Sequence, residues 1–354
     1  MRLLVVTWDG AGSLEPIVAL VNALIRHGHD VHVLGHDAQR SRIEATGAPF
    51  VAYETARQLD HGRRETWGTD RLASFLSFVA ESEHDVVAIA GALKPAAVLV
   101  DCMMPTALRA SKREGYRTVA LVHAPYSLSQ EFMDGQFRKP IEEADLAVGF
   151  SYAGFDPGAM PPNLIFVGPA RPATSGDVWE RAHPELPFVV ASQCTGLQGL
   201  PGTQLDLLQR VCDAVAGLGV EALVTTGRGI AALDLRLGAN TTAVRHVPHE
   251  ATLPHADLFI THAGLGSVMV ALTLGVPMLC LPPGADQPAN AANVARLGLG
   301  ETIDPASPST EIRTAVKRLL ANAVLRRRSH AFAASVVDHP GIERAVELIE
   351  AIGA

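Results

Sequence analysis

The chain has 354 residues, 48% of them apolar and 19% charged, which suggests two domains with sizeable cores and excludes a largely disordered protein. Lys and Arg number 29 against 37 Asp and Glu, a net charge of -8, so neither nucleic acid nor an anionic membrane is expected as the main partner. Aromatic residues make up 5%, too few for the stacking platforms that bind single strands.

Leu3 to Thr7 is a short apolar run, the pattern of a buried parallel strand. It breaks at Asp9 and the Gly10-Ala11-Gly12 loop, too early for a signal peptide. Pro16 falls in a first helical turn, Ile17, Leu20, Val21, Leu24 and Ile25 recur at helical spacing, and Gly28 ends the helix. Val31, Val33 and Leu34 begin a second strand, completing the strand–loop–helix–strand opening of a doubly wound α/β domain. His27, His29 and His32 have no metal-ligand spacing and read as surface or packing residues. The polar stretch Arg57 to Arg71 has no strong period; a mobile region is expected, then a helix from about Leu72.

Ala96 to Val100 is the next strand, ending at Asp101, and Pro105 to Glu114 is a helix closed by Gly115. Thr118 to Val122 is a strand ending at His123, and Leu164 to Val167 another ending in Gly168-Pro169. Residues 169–187 are Pro-rich and read as an interdomain linker. A second series then starts: a strand at Phe188 to Ala191, a polar loop from Ser192 to Gly196, and a helix from Leu205 to Ala216. Ala222 to Thr225 and Leu258 to Thr261 are further strands. The longest apolar stretch, Val268 to Leu281, is interrupted by Gly275 and Pro277, so it reads as helix, turn and strand. No transmembrane span is expected. Arg326-Arg327-Arg328 reads as a solvated helix face. The expected organisation is a first domain over 1–168, a linker over 169–187, a second domain over 188–340, and a final helix over 341–354. Cys102, Cys194, Cys212 and Cys280 form no CxxC pair and read as reduced core thiols of a cytoplasmic protein.

The stretch His262-Ala263-Gly264-Leu265-Gly266-Ser267 leads from a strand into a helix expected to start near Ser267. Small residues let backbone N–H groups approach an anion, and a helix N-terminus adds free donors and a positive dipole end. With Ser267 and His262 as side-chain donors, the loop can cradle a diphosphate without a Walker lysine and without metal ligands. The plainer reading is a tight turn with Ser267 as an N-cap.

Downstream stand Gly275-Val276-Pro277 and Asp286-Gln287 followed by Asn290; upstream stands Val247-Pro248. In this order the segment 247–300 resembles the donor-binding motif of the family 1 nucleotide-sugar glycosyltransferases, especially bacterial antibiotic and macrolide glycosyltransferases. The first half resembles the family more loosely, through the Gly10 to Pro16 loop and the strand end at Asp101. The resemblance implies a GT-B fold, two Rossmann-like doubly wound domains facing a cleft. It implies that His262, Gly264, Gly266 and Ser267 hold the diphosphate and that Val247 presents its backbone to the base. It implies that Asp286 and Gln287 bond the hydroxyls of the transferred sugar, with Thr195 and Gly196 touching the phosphate from the other side. The final helix would pack back on the first domain.

Two departures stand out. Val270 occupies a position where many relatives using ribonucleotide donors carry Glu for the ribose hydroxyls. An apolar residue suits a deoxyribose there, which favours a dTDP-sugar. Ser13 occupies the place, three residues before Pro16, where His or Asp commonly deprotonates the acceptor. Asp9, Asp101 and His123 are the candidate substitutes: two carboxylates and an imidazole near strand ends, where ligands of open α/β sheets bind. Asp101 also matches the family's base-orienting Asp. Each has a structural alternative: Asp9 bracing its loop, Asp101 capping a helix, His123 satisfied in the core.

The implied reaction is inverting, metal-independent transfer of a (deoxy)sugar from a dTDP- or UDP-sugar to a hydrophobic acceptor, an aromatic or polyketide natural product. No cofactor is implied beyond the nucleotide-sugar co-substrate; the partners are small molecules, with or without homodimerisation. Two other classes remain: a catalytically silent binding protein, suggested by Ser13, and a nucleotide-sugar epimerase, which would need more carboxylates than Asp286.

Overall fold

A computed structural model describes residues 1–10, 12, 14–56, 69–128, 135–170, 179–192, 201–227 and 230–353. Ser13, Cys194, Thr195, Gly196, the polar stretch 57–68 and residues 171–178 of the expected linker lie outside the described residues.

The chain divides into two compact units. The first comprises Met1–Pro172 with His339–Ala354, and the second Ala173–Asp338. The first unit is built on β1 (Arg2–Val6), α1 (Leu14–Arg26), β2 (Asp30–Gly35), β3 (Phe50–Ala52), α2 (Thr69–Leu93), β4 (Ala97–Asp101), α3 (Pro105–Arg113), β5 (Arg117–Val122), α4 (Arg138–Glu143), β6 (Leu146–Gly149) and β7 (Leu164–Phe166). Its strands form a seven-stranded sheet in the order β3-β2-β1-β4-β5-β6-β7, paired in parallel throughout.

Parallel sheets are covered on both faces, so their strands are apolar on both faces. Leu4 and Val6 enter one buried cluster with Phe78, Val98 and Val100. Leu3 and Val5 point the other way, into a cluster with Ile17, Leu20, Leu24 and Leu99.

The second unit contains β8 (Phe188–Ser192), α5 (Pro201–Val215), β9 (Glu221–Thr225), β10 (Thr241–Val244), α6 (His249–Thr252), β11 (Leu258–Thr261), α7 (Leu265–Leu274), β12 (Met278–Cys280), α8 (Gln287–Leu297), β13 (Gly300–Thr302), α9 (Ser309–Ala321) and α10 (Ala323–Ser335). Its sheet runs β10-β9-β8-β11-β12-β13, again entirely parallel.

Both sheets reverse their strand order once, between β1 and β4 and between β8 and β11. These are the switch points where open α/β sheets bind ligands beyond the C-terminal strand ends. Asp9 follows β1 and Asp101 ends β4; His262 follows β11.

Several elements begin earlier than expected. Helix α2 starts at Thr69 rather than near Leu72, and α5 at Pro201 rather than Leu205. Helix α7 starts at Leu265, with Gly264 as its N-cap. Ser267 is therefore the third residue of the helix and not its cap, because the sharp reversal is completed at Ala263 by a positive φ of 64. Within the expected linker, residues 179–187 lie on the second unit: the amides of Ala182 and His183 donate to the Glu221 carboxylate at 2.9 and 3.1 Å. Cys102, Cys212 and Cys280 are free and buried. Among the described residues no helix is long and apolar enough to cross a membrane.

The last helix, α11 (Ile342–Gly353), belongs to the first unit. Ala345, Val346 and Ile349 are buried in the same cluster as Ile17 and Leu20 of α1. Around that seam Arg26 pairs with Glu343 at 2.6 Å and His29 with Glu350 at 3.0 Å. The Arg26–Glu343 pair is exposed and contributes little, whereas His29 is buried beside Glu350; the buried aliphatic face carries the attachment. Ile349→Ala is expected to lower the unfolding free energy of the full chain by roughly 2–5 kcal/mol, read from urea denaturation.

Candidate functional site

In the second unit the β11–α7 turn is shaped by its smallest residues. Ala263 adopts a left-handed conformation, which costs on the order of 1 kcal/mol for a residue with a Cβ. Its amide donates to Thr261 Oγ1 at 3.1 Å. A Cβ on Gly264 would lie 2.5 Å from His262 Nε2, so glycine is required for the imidazole to lie against the turn. Gly266 is different. A Cβ there would meet nothing within 4 Å, so no packing within the protein demands glycine. Space remains for a ligand to approach the backbone.

No side chain caps α7. Its first-turn amides, at Leu265, Gly266 and Ser267, have no partner within the helix, and the dipole end adds positive potential. His262 is 7% exposed. Burial pushes its pKa down to about 4, against the opposing pull of the Ser192 backbone. At neutral pH it is therefore an uncharged imidazole with a single N–H and no positive charge.

Asp286 is the N-cap of α8 and Gln287 its first residue. Gln287 is buried, and its Oε1 accepts from the Gly284 amide at 3.2 Å, bracing its own loop. Asp286 is joined to the β11–α7 turn through Asn290. The Asn290 Nδ2 group donates to Asp286 Oδ2 at 2.7 Å and to the Ala263 carbonyl at 3.0 Å. Thus Asp286, Asn290, Ala263 and Thr261 belong to one hydrogen-bonded arrangement, with His262 and Gly264 the chain neighbours of Ala263, and Val270 lies one turn along α7, half-buried. Val247 is buried just before Pro248, which caps α6. His249 packs edge-on against Phe259, ring centroids 5.2 Å apart. Burial, then the charges of His246 and His262, push its pKa to about 4.

In the first unit Asp101 ends β4 opposite Leu121 of β5, which brings its carboxylate to His123 just past the end of β5. His123 Nε2 lies 2.8 Å from Asp101 Oδ1, which also accepts from the Met103 amide at 2.9 Å. Asp101 is 0% exposed at its side chain and His123 11%, so His123 is the end of the pair that a solute can reach. Burial acts to lower the His123 pKa, but the Asp101 carboxylate, helped by Cys102, lifts it well above the usual imidazole range. Ligating atoms of Asp101, Cys102 and His123 lie within 4.8 Å of one another, the one such group among the described residues. The His123–Asp101 hydrogen bond already joins two of the three directly, so the geometry is that of an ion pair.

Asp9 lies in the loop after β1. Its amide donates to His36 Nδ1 at 2.9 Å, and Gln39 Nε2 donates to the Trp8 carbonyl at 3.0 Å. His36 and Gln39, which follow β2, thus anchor the loop after β1. Sequence reasoning missed both, and a cross-strand brace leaves no local signal. Gly10 is required because a Cβ would lie 2.4 Å from the Trp8 ring.

Residues 209–352 match the family model described as the C-terminal domain of erythromycin biosynthesis protein CIII-like proteins. The 4'-demethylrebeccamycin synthase of Lentzea aerocolonigenes is 26% identical, the alignment covering 99% of each chain. The zeaxanthin glucosyltransferase of Pseudescherichia vulneris is 31% identical over 195 residues, 54% of this chain and 46% of that protein. The chain therefore spans about half the length of that relative. Among solved structures, the calicheamicin glycosyltransferase CalG4 superposes with a TM-score of 0.82 at 22% identity, covering 99% of this chain and 98% of the other. Two parallel-sheet α/β units of this kind define the GT-B fold. The matched segment, the full-length likeness and the shared fold together support a family 1 glycosyltransferase.

The histidines give the protein a two-sided pH dependence. His249 and His262 are depressed from 6.5 to about 4. Their contribution to stability is complete above about 6.5 and is lost as pH falls through about 4. His123 is raised, so its contribution is complete below about 6.5 and is lost as pH rises through its folded value. Urea unfolding across acid and alkaline pH should show both limbs, with His249→Phe flattening the acid one and His123→Gln the alkaline one.

Proposed function

We propose that the chain transfers a (deoxy)sugar from a dTDP- or UDP-sugar to a hydrophobic small-molecule acceptor, with inversion and without a metal. The observation that carries this reading is the uncapped start of α7 behind Ala263, with neutral His262 beside it and Asp286 tied to it through Asn290. A diphosphate at such a helix start meets backbone donors and a positive dipole end. As the bond from the anomeric carbon to the diphosphate breaks, the negative charge that develops stays on the diphosphate. Donors already aimed at that charge lower the barrier, the electrostatic contribution that is usually largest.

The acceptor is assigned to the first unit. The buried layer that holds Val100 and Cys102 also holds Phe75, Phe78 and Phe137, with half-buried Trp8 packed against it. The Trp8 and Phe75 ring centroids are 4.9 Å apart. Half-buried Trp8, backed by that layer, is the apolar surface offered to an acceptor. Candidate base weight shifts from Asp9 and Asp101 to His123, because Asp101 has no exposed surface. In this assignment His123 takes the proton of the acceptor hydroxyl, whose oxygen bonds the anomeric carbon. Asp101 sits behind the imidazole and stabilises its charged form, the arrangement of a base held by a buried carboxylate. An imidazole with a raised pKa is a stronger base but is unprotonated only at higher pH. A readily ionised hydroxyl, such as a phenol, is the acceptor best matched to it.

The dTDP preference rests on Val270, half-buried one turn into α7, where a carboxylate would need a ribose 2'-hydroxyl as partner. Calorimetry is expected to give tighter binding of dTDP than of UDP; UDP binding equally well would remove Val270 as a determinant. For the base, His123→Gln is expected to reduce kcat about 10²–10⁴-fold with dTDP affinity unchanged. Wild-type kcat/KM, measured in EDTA, should climb with pH above the ordinary imidazole range. A native rate in His123→Gln would return the role to a carboxylate. A donor that epimerises with no acceptor present would instead support the epimerase reading.

A further inference from the structure

We propose that Asn290 is a positioning residue for the donor: it holds the Asp286 carboxylate in fixed register with the anion-binding turn after β11. The proposal rests on the reading that Asp286 bonds the transferred sugar.

Asn290 is fully buried on α8. Its two acceptors, the Ala263 carbonyl and Asp286 Oδ2, have no hydrogen to give when Asp286 is ionised. The nitrogen of the side-chain amide must therefore face them, and both of its hydrogens are committed. One bond goes to a charged acceptor and is the shorter, at 2.7 Å.

Both loops joined in this way carry a strained residue. Ala263, with φ 64, and Ala285, with φ 55, adopt left-handed conformations although each carries a Cβ. Ala263 turns the chain from β11 into α7, and Ala285 immediately precedes Asp286. Strained conformations persist where surrounding contacts over-determine them. Asn290 supplies one such contact to each loop, directly at the Ala263 carbonyl and through Asp286 next to Ala285. The diphosphate and the sugar of one donor would be read by these two loops. Their spacing decides whether both can be bound at once, and a carboxylate fixed before binding loses less freedom on binding.

A purely structural Asn290 would affect nucleotide and nucleotide sugar alike, whereas a positioning residue affects the ratio. The test uses the full chain and calorimetry with dTDP and dTDP-glucose, and with UDP and UDP-glucose. The proteins are wild type, Asn290→Ala, Asn290→Asp, Asp286→Ala and the Asp286→Ala/Asn290→Ala double variant. Asn290→Asp keeps the shape while replacing the donor by an acceptor beside Asp286, which covers the case in which Asn290→Ala misfolds.

Expected is a loss of about ten-fold or more in nucleotide-sugar affinity in each single variant, with bare nucleotide affinity within about three-fold of wild type. The double variant should be no worse than Asp286→Ala, because the two side chains act as one unit. Equal losses for nucleotide and nucleotide sugar in the Asn290 variants, or no loss in either, would overturn the proposal if Asp286→Ala discriminates between them. If Asp286→Ala itself does not discriminate, the sugar-contact reading of Asp286 fails, and the proposal with it.

Discussion

Parallel strand pairing constrains everything else in this molecule. In both sheets every pair is parallel, so all strands of a unit end on the same edge and each must be reconnected by a crossover. The buried strands can carry little but apolar side chains. Polar chemistry is displaced to the residues just beyond them: Asp9, Asp101, His123 and His262. The helices that follow start at that same edge and present their N-termini there. In the second unit this places an uncapped helix start beside a buried imidazole. In the first it places a carboxylate and an imidazole from adjacent strands within hydrogen-bond distance.

The two edges are electrostatically unlike. Around α7 the histidines are held neutral by burial, with no carboxylate among the causes of their shifts. At β4 and β5 the imidazole is held charged by a carboxylate that is itself wholly buried. The same residue type is uncharged in one unit and half of an ion pair in the other, and its environment decides which. An uncharged imidazole adds no counter-charge that must be compensated when a charged ligand leaves. An ion pair suits a group that must exchange a proton, because loss of that proton leaves a carboxylate still in place to favour its return.

Much of this was legible in the sequence, for physical reasons that also mark the limits. The core strands β1, β4, β5, β8, β9 and β11 are continuous apolar runs flanked by glycine, proline or polar residues, and each expected bound lies within one residue of the observed one. The short strands β3, β6, β10 and β13 went unread. Gly300-Glu301-Thr302, for instance, has no apolar run and is a strand because β12 lies beside it. The helix after β11 starts at Leu265, two residues before the expected Ser267, because Ala263 completes the turn in a left-handed conformation. The pairing of Asp101 with His123 spans 22 residues and follows from strand register. The Asn290–Ala263 bond spans 27 and joins two crossovers. Neither has a local pattern, since only the folded sheet brings the partners together.

The placement of strain fits this division of labour. Among the described non-glycine residues with positive φ, two of three, Ala263 and Ala285, lie in the loops after β11 and β12. Glycine at either place would relieve the strain but would also free the backbone. Alanine narrows the accessible conformations, and the hydrogen bonds from Asn290 select among those that remain. By contrast Gly264 must stay small for the His262 ring, and Gly266, with nothing of the protein within 4 Å of a Cβ, leaves its backbone open to approach. Alternation of stiff and small residues over so few positions is what a backbone needs if it is to be both rigid and closely approachable. Those are the two requirements for binding an anion through main-chain N–H groups.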